Sequence, residues 1–96
     1  MKYTGTLIAE SLIDEAFLNF VSITERRDGQ ITFSVTDEFV AAVVEEISKS
    51  LKPRGSGTVE GEYESFMIFP NKVFKYSQKD VAGRQKAVDY AKSLGI

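Results

Sequence analysis

Seven of the eleven residues from Phe66 to Tyr76 are large and apolar: Phe66, Met67, Ile68, Phe69, Val73, Phe74 and Tyr76. Pro70-Asn71 divides them, and a proline pre-set for the first central position makes that pair a turn. The run therefore reads as a β-hairpin, and it constrains the fold more than any other stretch. Side chains along a strand alternate between two faces. With Phe69 opposite Val73, one face carries Phe66, Ile68, Phe74 and Tyr76, and the other carries Met67, Phe69 and Val73. A two-layer domain buries only one face of its sheet. The second face of the hairpin then requires a terminal segment, a loop or another chain to cover it.

The remaining segments supply the other layers. Residues 2 to 11 form a strand with Tyr3, Gly5, Leu7 and Ala9 on one face. Ile13, Ala16, Phe17 and Phe20 follow at the spacing of a short helical turn. Strand-like runs at 20 to 26 and 30 to 36 flank Arg27-Asp28-Gly29. A two-residue Asp-Gly loop would pair Thr24 with Phe33 and mix polar and apolar residues on both faces. A three-residue loop pairs Ile23 with Phe33 and Val21 with Val35, which segregates the faces. The hydrophobic pattern therefore predicts the three-residue loop, with Gly29 at positive φ.

Residues 37 to 51 form a helix with Phe39, Val40, Val43, Val44, Ile47 and Leu51 on one face. Thr36 or Asp37 caps it, and Pro53 ends it. Arg54 to Thr58 is a loop, and a weakly alternating strand follows from Val59 to Glu64. A second helix spans 79 to 94, with Ser77 and Asp80 as a capping box and Ala87, Val88, Ala91 and Leu94 as a narrow stripe. Gly95 suits the left-handed position after it, and Ile96 is placed to fold back over the last turn. The chain reads as one small α+β domain over residues 1 to 96, in the order β–turn–ββ–α–βββ–α. The expected form is a two-layer sandwich, with two main helices on one face of a largely antiparallel sheet.

Function is constrained mostly by exclusion. The 96 residues include no histidine and no cysteine. Disulfide frameworks, thiolate zinc sites, cysteine nucleophiles and histidine bases are thereby removed. No phosphate-binding glycine loop, calcium loop or nucleophile elbow is present. Catalytic residues, metal ligands and cofactor contacts are all assigned as none. The acids Asp14/Glu15, Asp37/Glu38, Glu45/Glu46 and Glu60/Glu62/Glu64 read as solvated faces. No apolar run approaches the ~20 residues of a membrane span, and the N-terminus lacks the apolar core of a signal peptide. The expected location is cytoplasmic.

The charge is uneven. Residues 1 to 48 carry 3 basic and 9 acidic side chains, and residues 49 to 96 carry 9 and 5, giving −6 and +4. Three functions remain. The first is a non-enzymatic protein-interaction or homo-oligomeric module, with Phe66, Ile68, Phe74 and Tyr76 as its surface. The second is a nucleic-acid binder using Lys72, Lys75, Tyr76, Lys79, Arg84 and Lys86, where lysines neutralise phosphates and an aromatic ring stacks on a base. The third is a carboxylate-dependent enzyme.

Phe69-Pro-Asn-Lys-Val-Phe74, Gly83-Arg84 through Gly95-Ile96, and Gly5-Thr-Leu-Ile-Ala-Glu-Ser-Leu12 resemble stretches of short bacterial proteins without an assigned activity. The resemblance implies a bacterial origin and a chain that runs on past Ile96. It implies no activity.

Overall fold

The structure is a computed structural model that describes residues 2–95. The strands are β1 (Lys2–Ile8), β2 (Ser22–Arg27), β3 (Gln30–Thr36), β4 (Gly57–Glu60), β5 (Glu64–Phe69) and β6 (Lys72–Ser77). Helix α1 (Asp37–Ser50) lies between β3 and β4, and α2 (Val81–Ser93) follows β6. Short 3₁₀ segments, Ala9–Ser11 and Ala16–Phe20, connect β1 to β2. All strand pairs are antiparallel, in the order β2-β3-β1-β4-β5-β6. The element order and the α+β class are those read from the sequence. Ile96, assigned a fold-back contact above, lies outside the described residues.

Helix α1 covers one face of the sheet. Its Val40, Val43, Val44 and Ile47 pack into a single core with Tyr3, Leu7, Ile31, Phe33, Val35, Val59, Phe66 and Ile68. Gly5 sits in the middle of this face because the Phe33 ring lies where its Cβ would be. Phe17, from the second 3₁₀ segment, closes the core beside Phe33 with ring centroids 6.0 Å apart. At the far end of α1, Leu12 and Leu51 form an isolated bridge, and Asn71 N donates to Ser48 O at 2.9 Å.

Helix α2 does not share that face, which corrects the expected placement of both helices on one side. The β5–β6 register explains why. Phe69 pairs with Lys72, Ile68 with Val73 and Met67 with Phe74, one residue away from the expected pairing of Phe69 with Val73. The loop is Pro70-Asn71 alone, with Asn71 at φ 59°. Phe66, Ile68, Val73 and Lys75 consequently face α1, while Met67, Phe69, Phe74 and Tyr76 face the other way. The α1 side is already filled, so the second apolar set needs its own cover, and α2 supplies it. The Tyr90 ring packs on Phe69 and Phe74 with centroids 5.1 and 5.3 Å away. Gly83 lies against Tyr76: a Cβ there would come within 3.0 Å of the Tyr76 Cβ. The sheet is thus sandwiched between helices at its β5–β6 end and covered on one side elsewhere.

The β2–β3 hairpin combines two local rules. Ile23 pairs with Phe33, as the hydrophobic pattern requires, and Gly29 has φ 80°. The loop, however, is two residues long, with Asp28 also left-handed at φ 53°. Both central residues at positive φ define the hairpin turn whose twist matches its strands. A bulge between Ile23 and Glu25 absorbs the resulting offset. The strand ladder stops at Ser22–Ser34, so the expected Val21–Val35 pair does not form in it. The bulge, Glu25, Arg26 and Arg27 also blunt the open edge at β2, and Lys72 and Lys75 do so at β6.

At the ends of α2, Asp80 rather than Ser77 is the cap. Its Oδ1 accepts from Gly83 N at 2.9 Å. Gly95 is left-handed at φ 79°, as the sequence predicts.

Candidate docking groove and the residues around it

The hairpin residues assigned to a partner surface are not brought together. Phe66 and Ile68 are buried under α1, 6% and 0% exposed, and cannot meet a partner. Phe74 and Tyr76 lie on the opposite face and are half-buried beside α2. The hairpin's second face is covered in part by α2, which buries Phe69 and leaves Met67, Phe74 and Tyr76 half-buried. The apolar surface left at this hairpin is therefore smaller than the sequence argument requires, and Phe66 and Ile68 are not part of it.

The basic set is also divided. The Lys75 ammonium is on the α1 side, 3.3 Å from a Glu64 carboxylate oxygen and 6.0 Å from the Phe66 ring centroid. Lys72 is on the α2 side, 5.4 Å from the Phe74 centroid. Lys79 and Lys86 are exposed around α2, and only Tyr76 and Arg84 line a common cleft. The uncovered part of the α2 face, on β1, β3 and β4, carries Thr4, Thr6, Thr32, Ser34 and Thr58. It offers hydroxyls where a sheet that stacks bases would carry rings. Of the acids, Glu60 falls on the α2 side and Glu64 on the α1 side, with Glu62 in the loop between them. Among the described residues, no group of three or more acidic side chains could hold a metal ion.

Glu64 instead takes part in a structural contact. The Tyr3 hydroxyl donates to its Oε1 at 2.7 Å, reaching past the end of β4 where Gly61 leaves room for the ring. The Tyr3 hydrogen bond, assisted by Lys75 and opposed by burial, holds the Glu64 carboxyl below the usual carboxylate range. The same hydrogen bond and burial raise the Tyr3 hydroxyl above its ordinary value.

Of the large apolar residues left exposed, Phe20, Ile23 and Phe39 lie at the other end of the molecule, while Ile8, Ile13, Tyr63 and Val81 lie elsewhere. Phe20, Phe39, Ala42, Val43 and Glu46 line a groove of about 260 Å³ between the second 3₁₀ segment and α1. Phe39, Ala42, Val43 and Glu46 follow i, i+3, i+4, i+7 spacing, one stripe along the helix. This stripe lies beside the buried one formed by Val40, Val43, Val44 and Ile47. The apolar arc of α1 is wider than the sheet beneath it, and Phe39 overhangs at 46% exposed. Phe20 ends the 3₁₀ segment whose Phe17 is buried; three residues on, it is 60% exposed. Ile23, on the outermost strand β2, is 41% exposed. Helical periodicity had grouped Phe39 with the core, and nothing in the spacing marked its overhang.

One acid, Glu46, lines the groove itself. Glu38 and Glu46 are exposed on α1 and make no ion pair among the described residues, Glu45 pairs with Lys49 at 3.4 Å, and Asp37 lies on the other flank of the helix, toward Tyr3. No family model matches the chain, and neither the curated proteins nor the solved structures compared with it give a match. Among the described residues, no helix is long and apolar enough to cross a membrane.

Proposed function

We propose that this chain is a small non-catalytic docking module that binds a basic amphipathic helix of a partner protein in the Phe20/Phe39 groove. The supporting observation is the pairing of two exposed phenylalanines with Glu46, an exposed acid in the groove lining that makes no ion pair among the described residues. An amphipathic helix laid into a groove is read through apolar anchors at i, i+4 and i+7. Lysines or arginines beside those anchors would meet Glu46, with Glu38 on the adjoining flank of α1, steering the encounter. A second copy fits less well. A two-fold contact presents the same patch twice, so it would bring the Glu46 carboxylates of both copies into one interface with no cation to meet them. The absence of histidine and cysteine and the scattered carboxylates favour binding over catalysis. A reducing bacterial cytoplasm, in keeping with the cysteine-free sequence and the resemblance to bacterial stretches, is the proposed setting.

The test uses two synthetic helices with the same leucine stripe, one flanked by lysines and one by glutamates. Each is titrated into ¹⁵N-labelled protein, with sedimentation of the free protein in parallel. The proposal requires saturable shifts at Phe20, Phe39 and Glu46 with the lysine peptide only. Equal binding of both peptides, or binding of neither, would contradict it. A concentration-dependent dimer whose contacts fill the groove would assign the surface to a second copy.

A further inference from the structure

Where α2 leaves the sheet half covered, its flank and the strands enclose a second concavity of about 370 Å³, lined by Glu60, Ser65, Met67, Tyr76, Gln78 and Arg84 among others. Its floor follows from the register. Glu60 pairs with Ser65, and Ser65 with Tyr76, so the three form one row across β4, β5 and β6 on the α2 side. Neighbouring strands are about 4.8 Å apart, which sets Glu60 and Tyr76 about 10 Å apart along this row. Arg84 stands on α2 next to Gly83, the residue packed on Tyr76. One end is pinned: the Gln78 side-chain amide donates to Gly61 O, and its backbone N donates to Tyr63 O at 3.1 Å.

Arg84 and Glu60 bring opposite charges to this cleft, both as exposed side chains. Among the described residues, neither the Arg84 guanidinium nor the Glu60 carboxylate has an ionic partner, although both line the same cleft. Between them lie the Ser65 side chain, on a residue only 7% exposed, and the half-buried Tyr76 ring. A guanidinium favours a carboxylate through paired N–H donors, and a carboxylate favours an ammonium. A phosphate would bring a second anion beside Glu60, which disfavours nucleotides here. The volume is at the small end for ligand sites.

We propose that this cleft binds a small zwitterion of the α-amino acid class, its carboxylate on Arg84 and its ammonium on Glu60. The ligand's side chain then rests against Met67 and Tyr76. This site is separate from the docking groove, and its test is independent of any peptide. Each standard α-amino acid is titrated singly into the ¹⁵N-labelled chain, alongside its N-acetyl and carboxamide derivatives, which remove one charge each. At least one amino acid should give saturable shifts at Ser65, Tyr76 and Arg84, and either derivative should weaken binding about tenfold or more. Arg84→Gln and Glu60→Gln, both surface changes, should each do the same while melting like the wild type. The proposal is overturned if no amino acid gives saturable shifts. It is equally overturned if the derivatives, or the Arg84→Gln variant, bind as well as the free amino acid does to the wild type.

Discussion

The β5–β6 hairpin and the Phe20/Phe39 groove contrast apolar density with apolar exposure. The hairpin packs seven large apolar residues into eleven positions, yet Phe66, Ile68 and Phe69 are at most 6% exposed and Met67, Val73, Phe74 and Tyr76 are half-buried. The groove draws on phenylalanines from sequence-distant segments, and both remain about half exposed or more. Cover depends on which elements can reach a residue. The hairpin lies between α1 and α2, so both of its faces find partners. The groove lies at the end where the sheet runs out to β2, whose six residues are all exposed, and only one helix serves it. A dense apolar run attracts its own cover; a sparse one at the rim of a helix is left exposed.

The largest expected effect tests the α1 side of this contrast. Val44 is 4% exposed, and Val44→Asp places an unpaired charge in the core. The cost of several kcal/mol is a large share of a total near 5–10 kcal/mol. Thermal unfolding followed by circular dichroism should show a fall of more than ~15 °C or no cooperative transition. A melt like that of the wild type would mean α1 does not pack as described.

The next substitution separates the two helices. Tyr90 links α2 to Phe69 and Phe74, and Tyr90→Ala should cost about 2 kcal/mol, less than a full core truncation because the ring is half-buried. Hydrogen exchange should quicken in residues 81–93 well before it does in α1, since Ala87 is the only α2 residue fully buried. Uniform acceleration across both helices would show that the two covers are a single cooperative layer.

What the sequence made legible, and what it did not, follows the same line. Helix α1 was readable because a 3.6-residue period is imposed by burial of one face. Ile23–Phe33 was readable because only that pairing segregates polar from apolar residues. The loop beside it departs from the three-residue expectation because Asp28-Gly29 obeys its own turn geometry, and the Thr24 region takes up the difference as a bulge. At Pro70-Asn71, the shorter loop shifts the register by one residue and moves Phe74 and Tyr76 to the other side of the sheet. That single step divided the expected partner surface and set the position of α2. The groove was invisible because periodicity assigns Phe39 to a face without saying where the sheet below it ends. The cleft depends on the same β5–β6 register, which alone aligns Ser65 with Tyr76.

A smaller effect concerns the contact that ties the hairpin to β1. The Tyr3 hydroxyl and Lys75 hold Glu64 below the usual carboxylate range. A depressed carboxyl contributes stability above its unfolded value, and that contribution is lost as pH falls through the folded one. Wild-type stability should therefore drop on acidification below about pH 4.5, the usual range for a glutamate. Glu64→Gln should flatten part of that acid limb in urea titrations at stepped pH. Tyr3, raised in turn, should contribute below its ordinary value near 10 and lose that contribution as the pH rises through its folded value. An acid limb unchanged by Glu64→Gln would show that the contact is not held in solution.

The central claim is that the surface available to a protein partner is the groove and not the hairpin. Its most direct measurement is titration of the lysine-flanked leucine helix into two variants: the double substitution Phe20→Ser with Phe39→Ser, and Tyr76→Ser on the hairpin. Because Phe20 and Phe39 are exposed, the double variant should stay folded, with a stability change of about 1 kcal/mol or less. The account predicts that it loses peptide binding and that Tyr76→Ser retains wild-type affinity. Undiminished binding by the double variant, with loss on Tyr76→Ser, would return the partner surface to the hairpin and contradict the account.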